Sequence, residues 1–148
     1  MRVMVMIQGD GVDEDKIAPT EAMMAEMTTY NEQLVSAGIM LDGEGLRPTS
    51  DGARIVWQGG TTSVVDGPFV ESKEIIAGYW LWEVSSLEEA IEWAKRCPSP
   101  PADATGRQLL EIRPIYDMND VDPDVYTPEL REREEQLNER IREQHPTS

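Results

Sequence analysis

Two short segments of this sequence are apolar at almost every position, and they restrict the available folds most strongly. In residues 3–7 and 78–84, the side chains that would point to opposite faces of a sheet are apolar in both alternating sets. Strands with this pattern are usually covered on both faces. The sequence therefore predicts a sheet that packs against other elements on each side.

Two helices are predicted between strands. In residues 20–37, apolar side chains recur at helical spacing, and Gly38 is a suitable residue just after the helix end. The recurring residues are Met23, Met27, Tyr30 and Leu34. Residues 86–89 form a capping box that begins the second helix, which Pro98 ends.

The remaining strands complete an α+β pattern. Residues 54–58 are predicted to be a half-buried strand, and Gly59-Gly60 indicates a two-residue hairpin. The other extended segments are residues 39–46, 61–65 and 108–116. The order β-α-β, hairpin, β-α-β predicts a ferredoxin-like split βαβ fold with an antiparallel sheet. Two helices cover only one face of such a sheet, so a second copy is predicted to cover the other, giving a homodimer.

The sequence is predicted to hold one domain in residues 1–117 and an acidic linker with a helical extension in residues 118–148. Thr127 as N-cap and Pro128 at the first helical position begin the extra C-terminal helix. From Glu129 onward it holds six Glu and four Arg, so it contributes −2 to the net charge of −16. Its apolar residues are few, which predicts a solvated helix or one docked to a partner.

Composition excludes several classes of function. A net charge of −16 argues against binding of nucleic acid or of an anionic membrane surface. Cys97 is the only cysteine, which fits a reducing cytoplasm, and it is interpreted as structural. We expect no metal and no cofactor, because the sequence holds no metal-ligand cluster, phosphate-binding loop or dinucleotide motif.

The densest turn chemistry lies in residues 64–74, and its central residue is Asp66. An Asp in a turn usually accepts a hydrogen bond from the backbone N–H two residues on, but here that residue is Pro68, which has no N–H. The Asp66 carboxylate then either accepts from the Phe69 N–H and fixes the turn, or stays free as a base or a binding group.

Other charged residues are candidates for binding a substrate. Glu71 and Lys73 follow the corner, either as a solvated rim or with Lys73 setting the pKa of a nearby carboxyl. Glu44 lies among glycines and either fixes a turn or faces the same corner. Arg113 shares a strand face with Glu111, either as an ion pair at an edge or interface, or to hold a ligand's carboxylate or phenolate. Trp57, Trp80 and Trp82 are either pocket walls or core.

The sequence resembles the YCII-related family, known for its DGPF signature. The matching stretches are Asp66-Gly67-Pro68-Phe69 with Glu71, Lys73-Glu74 and Gly78-Tyr79; Glu44-Gly45-Leu46 with Pro48; Ala94-Lys95-Arg96-Cys97-Pro98; and Glu111-Ile112-Arg113-Pro114. The resemblance implies a dimeric α/β barrel with a pocket between stacked sheets. Some members are encoded beside extracytoplasmic-function sigma factors, and a related member catalyses a dehydrochlorination. One branch has a proposed His-Asp dyad, but the only histidine here is His145, in the tail.

Three functions follow as hypotheses. The first is a cofactor-free dimeric enzyme that performs proton transfer or elimination on a small molecule, with Asp66 as the base and Arg113 orienting the substrate. The second is a non-catalytic ligand-sensing or protein-interaction module linked to sigma-factor regulation. The third is a plain structural dimer with a vestigial pocket.

Overall fold

The computed structural model describes residues 1–10, 20–69, 74–99 and 107–146, except the side chains of Asp10 and Glu74. The chain divides into two compact units, Met1–Pro114 and Ile115–Ser148. Within the described residues, the first unit holds β1 (Arg2–Asp10), α1 (Glu21–Ser36), β2 (Met40–Gly45), β3 (Ala53–Gln58), β4 (Thr61–Asp66), β5 (Glu74–Glu83), α2 (Leu87–Ala94) and β6 (Arg107–Pro114); the second holds α3 (Pro128–Gln144).

Four strands form an antiparallel sheet in the order β2-β5-β1-β6. β5 lies between β1 and β2, the two strands that α1 connects, which is the split βαβ arrangement. The α+β class with antiparallel sheets is therefore confirmed, and the strand order is compatible with the ferredoxin-like fold. β1 extends beyond residues 3–7, because it stays paired with β5 and β6 as far as Asp10.

One face of this sheet carries the hydrophobic core. Val3 and Val5 have no exposed surface, and they pair in register with Trp82 and Trp80. Tyr30 meets the Trp80 ring edge-on, with centroids 5.8 Å apart. Trp80 and Trp82 therefore lie in the core under the helices, which is the core alternative given for them above.

The helix ends follow local sequence signals. The Thr20 side chain accepts from the Met23 N–H at 3.2 Å, and α1 ends before Gly38, whose φ is +72°. Leu34 is buried, but Met23 is 44% exposed, so the buried stripe of α1 starts later than its spacing predicts. The Ser86 hydroxyl accepts from the Glu89 N–H at 3.2 Å and begins α2.

β3 and β4 form a separate two-stranded sheet, joined by Gly59 and Gly60 at φ +58° and +77°. These positive φ values confirm the hairpin and explain its glycines. Trp57 is 75% exposed and Ile55 47% exposed. The prediction of a half-buried strand is wrong because, in the described part of the chain, these two strands pair only with each other.

The second unit contains a short 3-10 turn, Met118–Asp120, and then α3. The Thr127 side chain accepts from the Leu130 N–H at 3.4 Å, and Pro128 occupies the first helical position. Both predicted cap residues are confirmed.

Candidate functional site

The sheet face opposite α1 and α2, called the open face below, has an apolar centre between charged edges. Directly paired residues point to the same side of a sheet, so the strand register gives its layout. The rows across it are Arg113–Met4–Leu81–Asp42, then Glu111–Met6–Tyr79–Glu44, then Leu109–Gln8–Ile76. The central side chains of the first two rows are only half-buried. The charged ends of these rows belong to the edge strands β2 and β6.

Gln8 is the unusual residue of the open face. It is 7% exposed, and within the described structure its side-chain oxygen Oε1 has no hydrogen-bond partner. Its neighbours across the sheet, Leu109 and Ile76, offer it no polar side chain. An unpaired buried polar group costs about 1–3 kcal/mol, so each one calls for a physical explanation.

Arg113 lies at one edge of the open face. Its guanidinium is 3.7 Å from a carboxylate oxygen of Glu111, and the two side chains are 71% and 42% exposed. An exposed ion pair of this kind contributes about 0–1 kcal/mol. Arg113 can therefore exchange Glu111 for another anion at little cost.

Glu44 lies on β2, at the opposite edge, in the row that contains Glu111. Three strand spacings separate the two edge strands, which is about 14 Å. Glu44 and Arg113 thus share a face, but they cannot bind the same small chemical group.

The Asp66–Phe69 corner packs against the turn that follows β2. The Gly67 N–H donates to the Gly52 carbonyl at 3.0 Å, and the Phe69 N–H donates to the Thr49 hydroxyl at 3.4 Å. A Cβ on Gly67 would lie 1.6 Å from the Thr49 carbonyl oxygen, so only glycine fits. The Arg54 guanidinium lies 3.8 Å from the centre of the Phe69 ring.

Asp66 is the last residue of β4, and its side chain is exposed. The Phe69 N–H is bound by Thr49, so the alternative in which Asp66 fixes the turn through that N–H is wrong. No hydrogen bond or ion pair of its carboxylate is found in the described structure. Asp66 lies on the two-stranded sheet, whereas Glu44 and Arg113 lie on the four-stranded one. Glu71 and Lys73 lie outside the described residues.

Two open grooves of about 450 and 480 Å³ lie beside α1, the first lined also by Arg96 and Pro98 and the second by Met40. In the first, the Tyr30 hydroxyl donates to the Trp93 carbonyl at 2.6 Å, and burial raises the Tyr30 pKa well above its usual value. Burial also raises the pKa of the nearby Cys97 thiol to about 11, so at neutral pH it is protonated and a poor nucleophile. The raised pKa, which is caused by desolvation of the thiol, fits the structural role expected for Cys97.

No group of three or more His, Cys, Asp or Glu side chains in the described residues could hold a metal ion. None of the helices described is long and apolar enough to span a membrane.

Comparison with known proteins identifies the family. A model of the YCII-related domain matches residues 1–119, which is most of the chain. The chain belongs to the YCII-related family. It is similar to an uncharacterized protein of Rhizobium meliloti (strain 1021), with 34% identity over 95 residues that cover 64% of this chain and 74% of the relative.

The YCII-related domain of this chain contains no histidine, because His145 is the only one and follows α3. The His-Asp dyad of one branch therefore cannot form within it.

Gln8 was not among the residues that sequence reasoning selected. The signal that could have found it is a polar side chain continuing the alternation of Met4 and Met6 in an otherwise apolar strand.

Proposed function

We propose that this YCII-related protein is a homodimer that binds a small, partly apolar molecule between the open faces of two copies. The observation that carries the proposal is Gln8, a buried amide whose oxygen lacks a partner in the described structure. That oxygen is covered within a single copy, so a ligand donor would reach it once the groups covering it move, and would then satisfy it and offset its desolvation.

The open face itself supports the dimer. Met4, Met6, Tyr79 and Leu81 are only half-buried in one copy. Contiguous apolar patches of this kind are commonly covered by a second copy in a two-fold arrangement. The charged edge residues would then lie at the rim, where they can pair across the interface or contact a ligand.

The residues of the face suggest the ligand's chemistry. Gln8 offers an acceptor, and the apolar centre offers contact to a ring or aliphatic body. Arg113 at the rim fits a carboxylate or phenolate, because its guanidinium can bind two oxygens at once. We therefore infer a small molecule with an apolar body, a hydroxyl or N–H donor, and an acidic group.

Catalysis of proton transfer is a second candidate function, and the observation that supports it is the position of Asp66. Its exposed carboxylate is not engaged in the turn, and the corner beside it is fixed by the packing of Gly67 and Phe69. A free carboxylate next to a fixed backbone corner can act as a general base, so a cofactor-free elimination would assign this role to Asp66. In the alternative function, a ligand-sensing module linked to sigma-factor regulation, the protein binds the small molecule at the same site but does not catalyse proton transfer.

The test compares the wild type with Gln8→Leu by native mass spectrometry of the purified protein. We expect the wild type to retain a small molecule and Gln8→Leu to lose it. With ligand removed, Gln8→Leu should raise the free energy of unfolding by about 1–2 kcal/mol, because an unpaired buried amide is replaced by an apolar group.

The matched control is Gln33→Leu, which changes the same side chain on the outer side of α1, away from the sheet. A molecule lost from Gln33→Leu but kept by Gln8→Leu would place the site in the α1 groove and contradict the proposal. Asp66→Asn distinguishes a ligand-sensing module from an enzyme. In a sensing module this variant still binds the ligand and responds to it. In an enzyme this variant no longer turns the ligand over.

A further inference from the structure

α3 has a narrow apolar seam with heptad spacing. Written as a heptad, the helix places Leu130 and Leu137 at d and Glu134 and Ile141 at a. The three apolar side chains are 40%, 54% and 55% exposed, so the described structure leaves the seam uncovered. The Tyr126 hydroxyl donates to the Glu134 carboxylate, so this one charge in the seam already has a partner.

The charges of α3 are sorted around this seam. The e and g positions that border it are Arg131, Arg133, Asn138 and Arg140, and none is acidic. The other glutamates occupy b, c and f positions, which point away from the seam: Glu129, Glu132, Glu135, Glu139 and Glu143. Arg131 is held in place by Tyr126, whose carbonyl accepts from its Nε at 3.2 Å.

This arrangement disfavours pairing of α3 with a second α3. In a parallel pair, Glu134 of each copy would meet its equivalent in the seam. In an antiparallel pair, the arginines at g positions would face each other. Like charges at these positions are destabilising and serve to exclude partners.

A membrane surface is also a poor match. The seam offers three apolar side chains, whereas helices that lie on membranes present a broad apolar face. The polar face of α3 carries five glutamates, and the chain as a whole has a charge of −16, so anionic lipid would repel it.

We infer that α3 is a docking helix for another protein, whose partner helix carries an apolar seam bordered by carboxylates. The arginines at g would then pair with glutamates at e of the partner, which fixes orientation and selects the partner by charge. The seam from Leu130 to Ile141 spans fewer than two heptads, so the contact is weak and reversible. α3 belongs to the second unit.

The test uses the full-length protein and two synthetic four-heptad peptides with Leu at a and d. One peptide has Glu at every e and g position, and the other has Lys there. In fluorescence anisotropy at physiological ionic strength, where charges more than about 8 Å from the contact are screened, we expect the acidic peptide to bind at least about tenfold more tightly than the basic one. R133E/R140E should invert this preference, and Leu137→Glu should abolish binding of both peptides.

The control E132R/E139R changes the charge of two f positions, away from the seam, and should alter affinity by less than about twofold. Equal binding of the two peptides, or no binding of either, would overturn the inference. So would tighter binding to vesicles of anionic phospholipid than to the acidic peptide, or self-association that Leu137→Glu abolishes. Circular dichroism of each variant checks that α3 stays helical.

Discussion

Gly67 occupies a space that admits no side chain. A Cβ there would lie 1.6 Å from the Thr49 carbonyl oxygen and 2.5 Å from its carbonyl carbon, both in the backbone. We therefore expect Gly67→Ala to lower the free energy of unfolding by about 3 kcal/mol, because backbone must move to relieve the overlap. Urea denaturation followed by tryptophan fluorescence measures this.

The matched control is Gly52→Ala, whose new Cβ would lie 3.6 Å from the same oxygen, an ordinary contact. Its φ of −114° suits any residue, so a change within about 0.5–1 kcal/mol is expected. An equal loss in both variants would mean that the corner responds to any added methyl group.

The contacts around Asp66 show which features of a single residue can be predicted from the sequence. Pro68 has no N–H, so the sequence correctly indicated that the usual Asp turn bond is missing. The sequence did not indicate that Thr49 would accept from the Phe69 N–H, because these residues are 20 positions apart and meet only through packing. Gln8 shows the same limit, because its lack of a partner depends on neighbouring strands.

At the scale of elements, the start of α2 depends on a pair of serines and a glutamate. Glu89 accepts hydrogen bonds from the Ser85 hydroxyl and, at 3.2 Å, from the Ser85 N–H. The Ser85 side-chain bond, followed by the backbone bond, lowers the pKa of Glu89. A lowered folded-state pKa means that this contribution to stability is complete above the usual glutamate pKa and is lost as the pH falls through the folded value.

Glu89→Gln should therefore reduce stability at neutral pH, with the difference from the wild type shrinking as the solution is acidified. Thermal unfolding at a series of pH values measures it. Glu88→Gln is the control, because it removes a charge from the same helical turn and leaves the two hydrogen bonds from Ser85 intact. It should therefore cost less stability at neutral pH than Glu89→Gln does. Parallel curves for Glu89→Gln and the wild type would contradict this assignment.

Helix caps and the hairpin turn were predictable because their signals are local. Ser86, Thr127 and the Gly59-Gly60 pair each act within a few residues of their own position. The exposure of Trp57 was not predictable in this way. The alternating pattern of β3 predicts a buried side, but burial requires a covering element, and the sequence does not say whether one is present.

At the scale of the whole molecule, the proposed dimer rests on the centre of the open face. Met6 lies there, between Tyr79 and Glu111. Met6→Glu would bury an unpaired charge in the interface, so we expect dimer affinity to fall by roughly 100-fold. Sedimentation velocity over a range of concentrations measures this.

Met24→Glu is the control, because Met24 is 57% exposed on α1, away from the sheet. It should sediment as the wild type does. A wild type that is monomeric at every concentration would remove the basis for a site between two copies.

The crowding at Gly67 has a consequence for the history of the family. Gly67 is required by space and Phe69 contacts Arg54, so both are kept by packing whatever the protein does. The Asp66 side chain has no such structural duty in the described chain. The substitution rate at Gly67 among related sequences is therefore a reference with which the rate at Asp66 can be compared. If Asp66 is substituted as rarely as Gly67, selection for a chemical role retains it. If Asp66 is substituted much more often than Gly67, the proteins that lack it do not use that chemistry.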